Sequence, residues 1–253
     1  MDQQLFEAAT QNFSLPHDVV KLPTGGLFYK NKKKSVKIGY LTAQDENILT
    51  NISNLSSNES ILMSLIKNKL YEHDLKPEDL LDSDIEAILI FLRNTSFGPE
   101  YNITLTDPKT GKQFNSVILL DELNINKTNF QPDEMGFFSV KLPKSGYVVK
   151  VKPLTFGETI ELNKMISSYP ANLTPPTITW KLCRQIKEIN GNSDMGQIAS
   201  LIDNLPIMDS KFIKKFIKEN VPSLDLSKEV VAPSGEKVKV DITFGVEFFR
   251  PFF

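Results

Sequence analysis

Two stretches of this chain begin alike and continue alike. KLPTGG at Lys21 is answered by KLPKSG at Lys141, and KIGYLTAQDENIL at Lys37 by KVKPLTFGETIEL at Lys150. In each, a Pro-Gly turn leads into alternating apolar residues, then Leu-Thr and a run with an early carboxylate. A further pair, DPKTGKQF at Asp107 and APSGEKVKV at Ala232, follows, and the interval from Pro23 to Pro108 nearly equals that from Pro143 to Pro233. Pro and Gly at such offsets are turn chemistry. Period-two alternation is a strand with one face on a core. A fixed order recurring at a fixed interval marks a duplicated unit. The expected fold is α+β, built from two pseudo-repeated hairpin–helices–hairpin halves that superpose. An N-terminal arm covers 1–20, the first half 21–120, a polar linker 121–136, the second half 137–244 and an aromatic tail 245–253. LFEAA at Leu5 suits a helical turn within the arm.

The helices have their own signals. Thr42 caps a first helix, with Asp45 three residues on as in a capping box. A second starts near Glu59 and carries Ile61, Leu62, Leu65, Ile66 and Leu70 at three-four spacing. Asp82 or Ser83 caps a third, with the stripe Ile85, Ile88, Leu89 and Leu92, and Gly98–Pro99 ends it. FGETIELNKMISS, ITWKLCRQIKEIN, MGQIASLIDNL and MDSKFIKKFIKEN read as helices of the second half. Trp180 suits helix packing, and Cys183 falls on a stripe with Ile178, Leu182 and Ile186 as a small hydrophobe.

Composition narrows the chemistry. The net charge is -2 and the pI about 5.8, so no global field draws the chain to nucleic acid or to anionic membrane. Only three of the 29 cationic residues are Arg (Arg93, Arg184 and Arg250), the side chain that grips guanine edges and phosphates in a fork. No apolar run approaches the ~20 residues that span a bilayer. The N-terminus has no basic start followed by an apolar core. The single cysteine makes no internal disulfide and points to a reducing cytoplasm. His17 and His73 lie apart with no metal-ligand spacing, so no metal and no cofactor is expected. No glycine-rich phosphate loop or nucleophile motif occurs, and no small-molecule substrate is implied. The acidic stretch Glu72 to Glu86 reads as helix caps and a solvated face. Asp45 and Glu46, adjacent on a helix, point about 100° apart and cannot straddle one bond. The lysine clusters at Lys30 to Lys37 and Lys211 to Lys218 suit exposed or protein-docking faces.

EFFRPFF closes the chain. Four phenylalanines left frayed would invite aggregation, so this segment must dock. The candidate docking residues are Phe248, Phe249, Arg250, Phe252 and Phe253, against a partner or a second copy of the chain, with Arg250 suited to an acidic rim such as the Asp74 to Glu86 stretch of another copy.

LPTGGLFYK followed by VKIGYLTAQDENILTN resembles the T-even-like phage family of baseplate hub assembly proteins. The matching positions are Leu22, Pro23, Gly26, Tyr29, Leu41, Thr42, Ala43, Asp45, Glu46, Ile48 and Leu49. LRNTSFGPEY (Leu92 to Tyr101), Leu205, Pro206, Asp209 and Ser210, and the terminal FFRP are similar too, so the resemblance covers roughly residues 20–252. It implies a non-enzymatic assembly factor or structural subunit of the central hub of a contractile-tail baseplate. Its partners would be other hub proteins or its own copies, met in the host cytoplasm during assembly or in the tail baseplate of the virion. Some relatives carry Cys pairs at the DPKTG and APSG turns, as in a zinc-ribbon hairpin. Here those positions have none, so turn sequence and core must hold the hairpins. A nucleic-acid-binding adaptor built on degenerate zinc-ribbon hairpins is the alternative, and the scarcity of Arg speaks against it.

Overall fold

The structure is a computed structural model that describes residues 16–50, 58–126 and 128–249. The helical turn expected near Leu5 lies outside them. Strands β1 (His17–Lys21) and β2 (Ser35–Gly39) pair antiparallel, so the first hairpin opens inside what the sequence assigns to the arm. Its turn is held by Gly26 at φ 78°, where a Cβ would lie 2.6 Å from the Lys32 carbonyl. Helices α1 (Ala43–Thr50), α2 (Asn58–Lys69) and α3 (Asp82–Phe97) follow, and then the hairpin β3 (Glu100–Thr106) and β4 (Gln113–Leu119).

The second half opens with β5 (Phe138–Lys141) and β6 (Val148–Val151). Helices α4 (Phe156–Ser167), α5 (Thr177–Gln185), α6 (Met195–Asp203) and α7 (Ile207–Asn220) come next, and the half closes with β8 (Ser227–Val231) and β9 (Lys237–Asp241). The mixed α+β class is as expected from the sequence. One element is not. ITWKLCRQIKEIN is a helix only to Gln185; Ile186–Ile189 is a strand, β7, that pairs with β6. A register shift opposite Lys150/Val151 lets both Ile186 and Ile189 face inward, and the left-handed pair Asn190 and Gly191 turns the chain away. An added residue in one strand redirects the side chains beyond it. Ile178, in the first turn of α5, is exposed and no part of a buried stripe, while Cys183 is half-buried against the second core. Strand β7 belongs to the second half alone.

Two apolar cores result. One gathers β1–β2, α2 and α3 with Phe156 and Ile160 of α4, Ile242, Phe248 and Phe249. The other gathers β5–β7 with α5, α6 and α7. The halves are stitched by the Phe156 amide donating to the Leu80 carbonyl at 2.7 Å and by a bridge between Leu81 and Thr155. The connection after residue 120 is not free either: Ile125 bridges Leu224, and Phe130 stacks edge-on to Phe216 at 5.3 Å.

The helix starts follow the Leu-Thr junctions. The Thr42 amide and hydroxyl both donate to Asp45 at 2.7 Å, and Asp45 also pairs with the buried Lys69. Thr155 and Glu158 form a full capping box. The cap expected at Asp82 or Ser83 is absent: Leu81 stands at that position without a side-chain bond. Asp84, the third residue of α3, turns inward instead. It accepts from the Thr24 amide at 3.0 Å, the Thr24 hydroxyl at 2.6 Å and the Tyr29 hydroxyl. Asp209, the third residue of α7, does the same for the other LP turn, accepting from the amides of Lys144 and Ser145 at 2.7 and 2.8 Å. In each half, then, a buried aspartate at the start of the last helix ties down the turn of the first hairpin.

Candidate docking interface

The C-terminal phenylalanines divide. Phe248 and Phe249 are 1% and 2% exposed, inside the first core. They reach it through a single helical turn, Val246–Phe249. Phe248 packs on Tyr101, Phe244 and Phe249 with ring centroids 5.4, 4.9 and 5.4 Å away. Beneath it lies Arg93, wholly buried on α3, its guanidinium 5.3 Å from the Tyr101 ring and 5.7 Å from the Phe248 ring. Arg93 donates to the carbonyls of Gly98 at 2.7 Å and Glu100 at 3.0 Å, where α3 ends and β3 begins. A cation at a helix C-terminus meets the negative end of the dipole, so no carboxylate is required. Burial lowers the pKa of the guanidinium. Arg93 thus ties LRNTSFGPEY to the FF of FFRP, two segments that sequence alone leaves unconnected. Arg250, Phe252 and Phe253 lie outside the described residues. Beside Phe249 opens a cleft of about 510 Å³, lined by Tyr40, Leu41, Leu49 and Phe97 among others, and Phe97 is 38% exposed.

The acidic stretch is not one rim. Glu72 and Asp74 pair with Lys33, and Asp84 is buried at the LP turn. Burial pushes the Asp84 carboxyl up despite its donors, and burial with the Asp84 charge raises Tyr29. Asp82 and Glu86, one turn apart on α3, face a second cleft. Asp82 is exposed at its mouth, so water screens much of the upward push that the surrounding walls exert on its carboxyl. Glu86 is half-buried, and burial together with the charges of Asp82 and Asp84 pushes it up to about 7. The folded state therefore holds this proton more tightly than the unfolded chain. The stability it contributes is full below the ordinary carboxylate range and is lost as pH rises through about 7. Glu86→Gln, neutral at every pH, should equal the parent in acid and exceed it above neutrality by about 1–2 kcal/mol, the full shift being discounted for water access. Urea midpoints measured across that pH range check the sign.

The two end hairpins meet at their tips. Asp107 is 2% exposed, and its carboxylate accepts from the Ser234 hydroxyl at 2.8 Å and the Ser234 amide at 3.2 Å. The amide of Lys109 in its own turn donates at 2.9 Å. Burial pushes this carboxyl up, but the donors outweigh it and hold it below the usual range. Asp107 and Ser234 stand in the DPKTG and APSG turns, and a hydrogen-bonded latch joins them. Among the described residues no three His, Cys, Asp or Glu side chains gather as metal ligands. Chelator treatment is expected to leave the circular dichroism spectrum unchanged, whereas Asp107→Ala should lower the melting temperature. Loss of signal on chelation, with stoichiometric zinc by elemental analysis, would contradict this.

Sequence reasoning missed Arg93, Asp84 and the Asp107–Ser234 latch as organising contacts. The available signals were an Arg inside an apolar stripe and an Asp at the third position of a helix following each LP turn. No helix among the described residues is long and apolar enough to cross a membrane.

No curated relative and no solved structure matches the chain. The model of one family, described as T4 bacteriophage base plate protein, matches residues 21–250. That span takes in both LP turns, the Asp107–Ser234 latch, the Arg93 site and Phe249, and it is by this match that the chain belongs to the T4 bacteriophage base plate protein family.

Proposed function

We propose that this chain is a non-enzymatic assembly factor, or a structural subunit, for the central hub of the baseplate, acting by protein–protein docking with other baseplate proteins. Family membership over residues 21–250 carries the proposal. The cleft beside Phe249 supports it, because the aromatic tail continues from that residue. Arg250, Phe252 and Phe253 are the proposed docking residues. Phe248 and Phe249 serve as the anchor that presents them. Assembly would take place in the host cytoplasm.

Mass spectrometry of purified particles beside infected-cell lysate separates the two roles. A subunit is present in particles at a fixed ratio to other baseplate proteins. An assembly factor is abundant in lysate and missing from particles. Failure to co-purify with any baseplate protein from lysate, together with absence from particles, would refute both.

A further inference from the structure

The cleft of about 510 Å³ beside Phe249 lies between α1 and the last turn of α3. The hydroxyl groups that line it spend their hydrogens inside the chain. The Tyr40 hydroxyl donates to Asp18 at 2.6 Å and the Thr42 hydroxyl to Asp45 at 2.7 Å. On α3 the Thr95 hydroxyl donates to the Phe91 carbonyl at 2.9 Å and the Ser96 hydroxyl to the Leu92 carbonyl at 2.8 Å. The lining therefore offers an occupant apolar surface, with the exposed Phe97 foremost, and one charge among the described residues, the exposed Glu46. A fitting occupant is apolar and carries a single positive charge.

Two stretches of chain outside the described residues start beside this cleft. The Tyr40 amide donates to the Pro16 carbonyl at 3.3 Å, where residues 1–15 attach, and residues 250–253 follow Phe249. Residues 1–15 hold Asp2 and Glu7 and neither Lys nor Arg, so they bring like charge toward Glu46. Residues 250–253 are Arg-Pro-Phe-Phe, two aromatic rings and one cation. Their chemistry is the complement of the cleft.

We propose that the occupant is this tail from a second copy of the chain. Two copies pair face to face, each seating Phe252 and Phe253 in the other's cleft with Arg250 opposite its Glu46. The inference rests on the docking role given to the tail above and names a partner for it. Phe249 lines the cleft and the tail starts from Phe249, so donor and acceptor are neighbours on one surface. Such a surface complements itself about a two-fold axis and closes at two copies, whereas donor and acceptor on separate faces would build a ring or a filament. Pro251 favours exchange over folding back. The residue before a proline is biased to extended backbone, and an extended chain advances about 3.3–3.6 Å per residue. Arg250 and Pro251 would thus carry the two rings away from the wall that they leave. One cleft and a four-residue tail per copy make a small contact, of the size that gives transient association and not an obligate dimer.

Sedimentation equilibrium of the full chain tests this. A concentration-dependent equilibrium between monomer and dimer is expected, with no larger species. Phe252→Ala combined with Phe253→Ala should weaken it at least about thirtyfold, as loss of aromatic anchors does. Glu46→Lys and Arg250→Glu should each weaken it about fivefold. The two combined should restore the parent's value, which damage to folding could not do. A chain that stays monomeric at every concentration, a dimer indifferent to the tail substitutions, association lost on deleting residues 1–15 instead, or growth beyond dimers would overturn the proposal. A monomer that still co-purifies with baseplate proteins would sink it and leave the hub reading standing. A tail-dependent dimer that meets no baseplate protein would uphold it and count against the hub reading.

Discussion

A chain ended after Phe244 should fail to hold a stable fold, while one ended after Phe249 should keep the parent's melting temperature. The two truncations differ by five residues, among them Phe248 and Phe249, which are 1% and 2% exposed. Emptying a buried phenylalanine site costs about 3–5 kcal/mol. Two such sites approach the whole stability of an ordinary domain, about 5–15 kcal/mol. The shorter truncation also uncovers Arg93, whose two aromatic faces are Tyr101 and Phe248. Thermal unfolding of both chains, followed by circular dichroism, checks the contrast. The chain ended after Phe249 then becomes the clean reagent for docking, since it removes Arg250, Phe252 and Phe253 from a fold that stays intact. If the chain ended after Phe244 melts with the parent, the two buried phenylalanines are not the anchor described above.

Arg93→Met should cost about 3–5 kcal/mol, the range for disrupting a buried charged site. The variant keeps much of the apolar stem. It loses both rings' cation contacts and leaves the carbonyls of Gly98 and Glu100 without their donor. An unpaired buried carbonyl costs about 1–3 kcal/mol by itself. Arg93→Lys should recover only part of the loss, because an ammonium is a point charge and cannot fork between two carbonyls while lying flat on a ring. Urea unfolding gives the ordering parent, Lys, Met. If Lys and Met variants are equally damaged, planarity and not charge is what the site requires. If neither is damaged, Arg93 contributes no stability to this core.

Much of the architecture could be inferred from local signals. Pro-Gly offsets located all four hairpin turns, and alternation identified most of their strands, His17–Lys21 excepted, because turn and strand preferences depend on near neighbours. The α2 and α3 stripes followed from three-four spacing. What escaped was whatever depends on distant residues. Asp84 looks like a capping residue at the start of α3, yet Thr24 and Tyr29, some sixty positions earlier, offer it three donors. Ile186 continues the helical period of α5 until β6 supplies a strand edge to pair with. The docking tail was half visible. Its apolar character is written in the sequence, but the split between Phe248 and Phe249 as core and the residues beyond as proposed contacts depends on Arg93 and Tyr101 being there to receive them.

The placement of Phe248 and Phe249 has a consequence for the order of events during synthesis. The core they complete is otherwise built mainly from the first half and one turn of α4, which leave the ribosome long before them, with Ile242 following only shortly ahead of the two rings. At about 5–20 residues per second, roughly ten seconds separate emergence of the β3–β4 hairpin from emergence of these two rings. Through that interval Arg93 has Tyr101 on one face and nothing on the other. A nascent or prematurely terminated chain therefore lacks a finished first half, however much of it has been made. Only a chain translated through residue 249 can close that core, so a polypeptide stopped short of it exposes apolar surface that the longer chain buries.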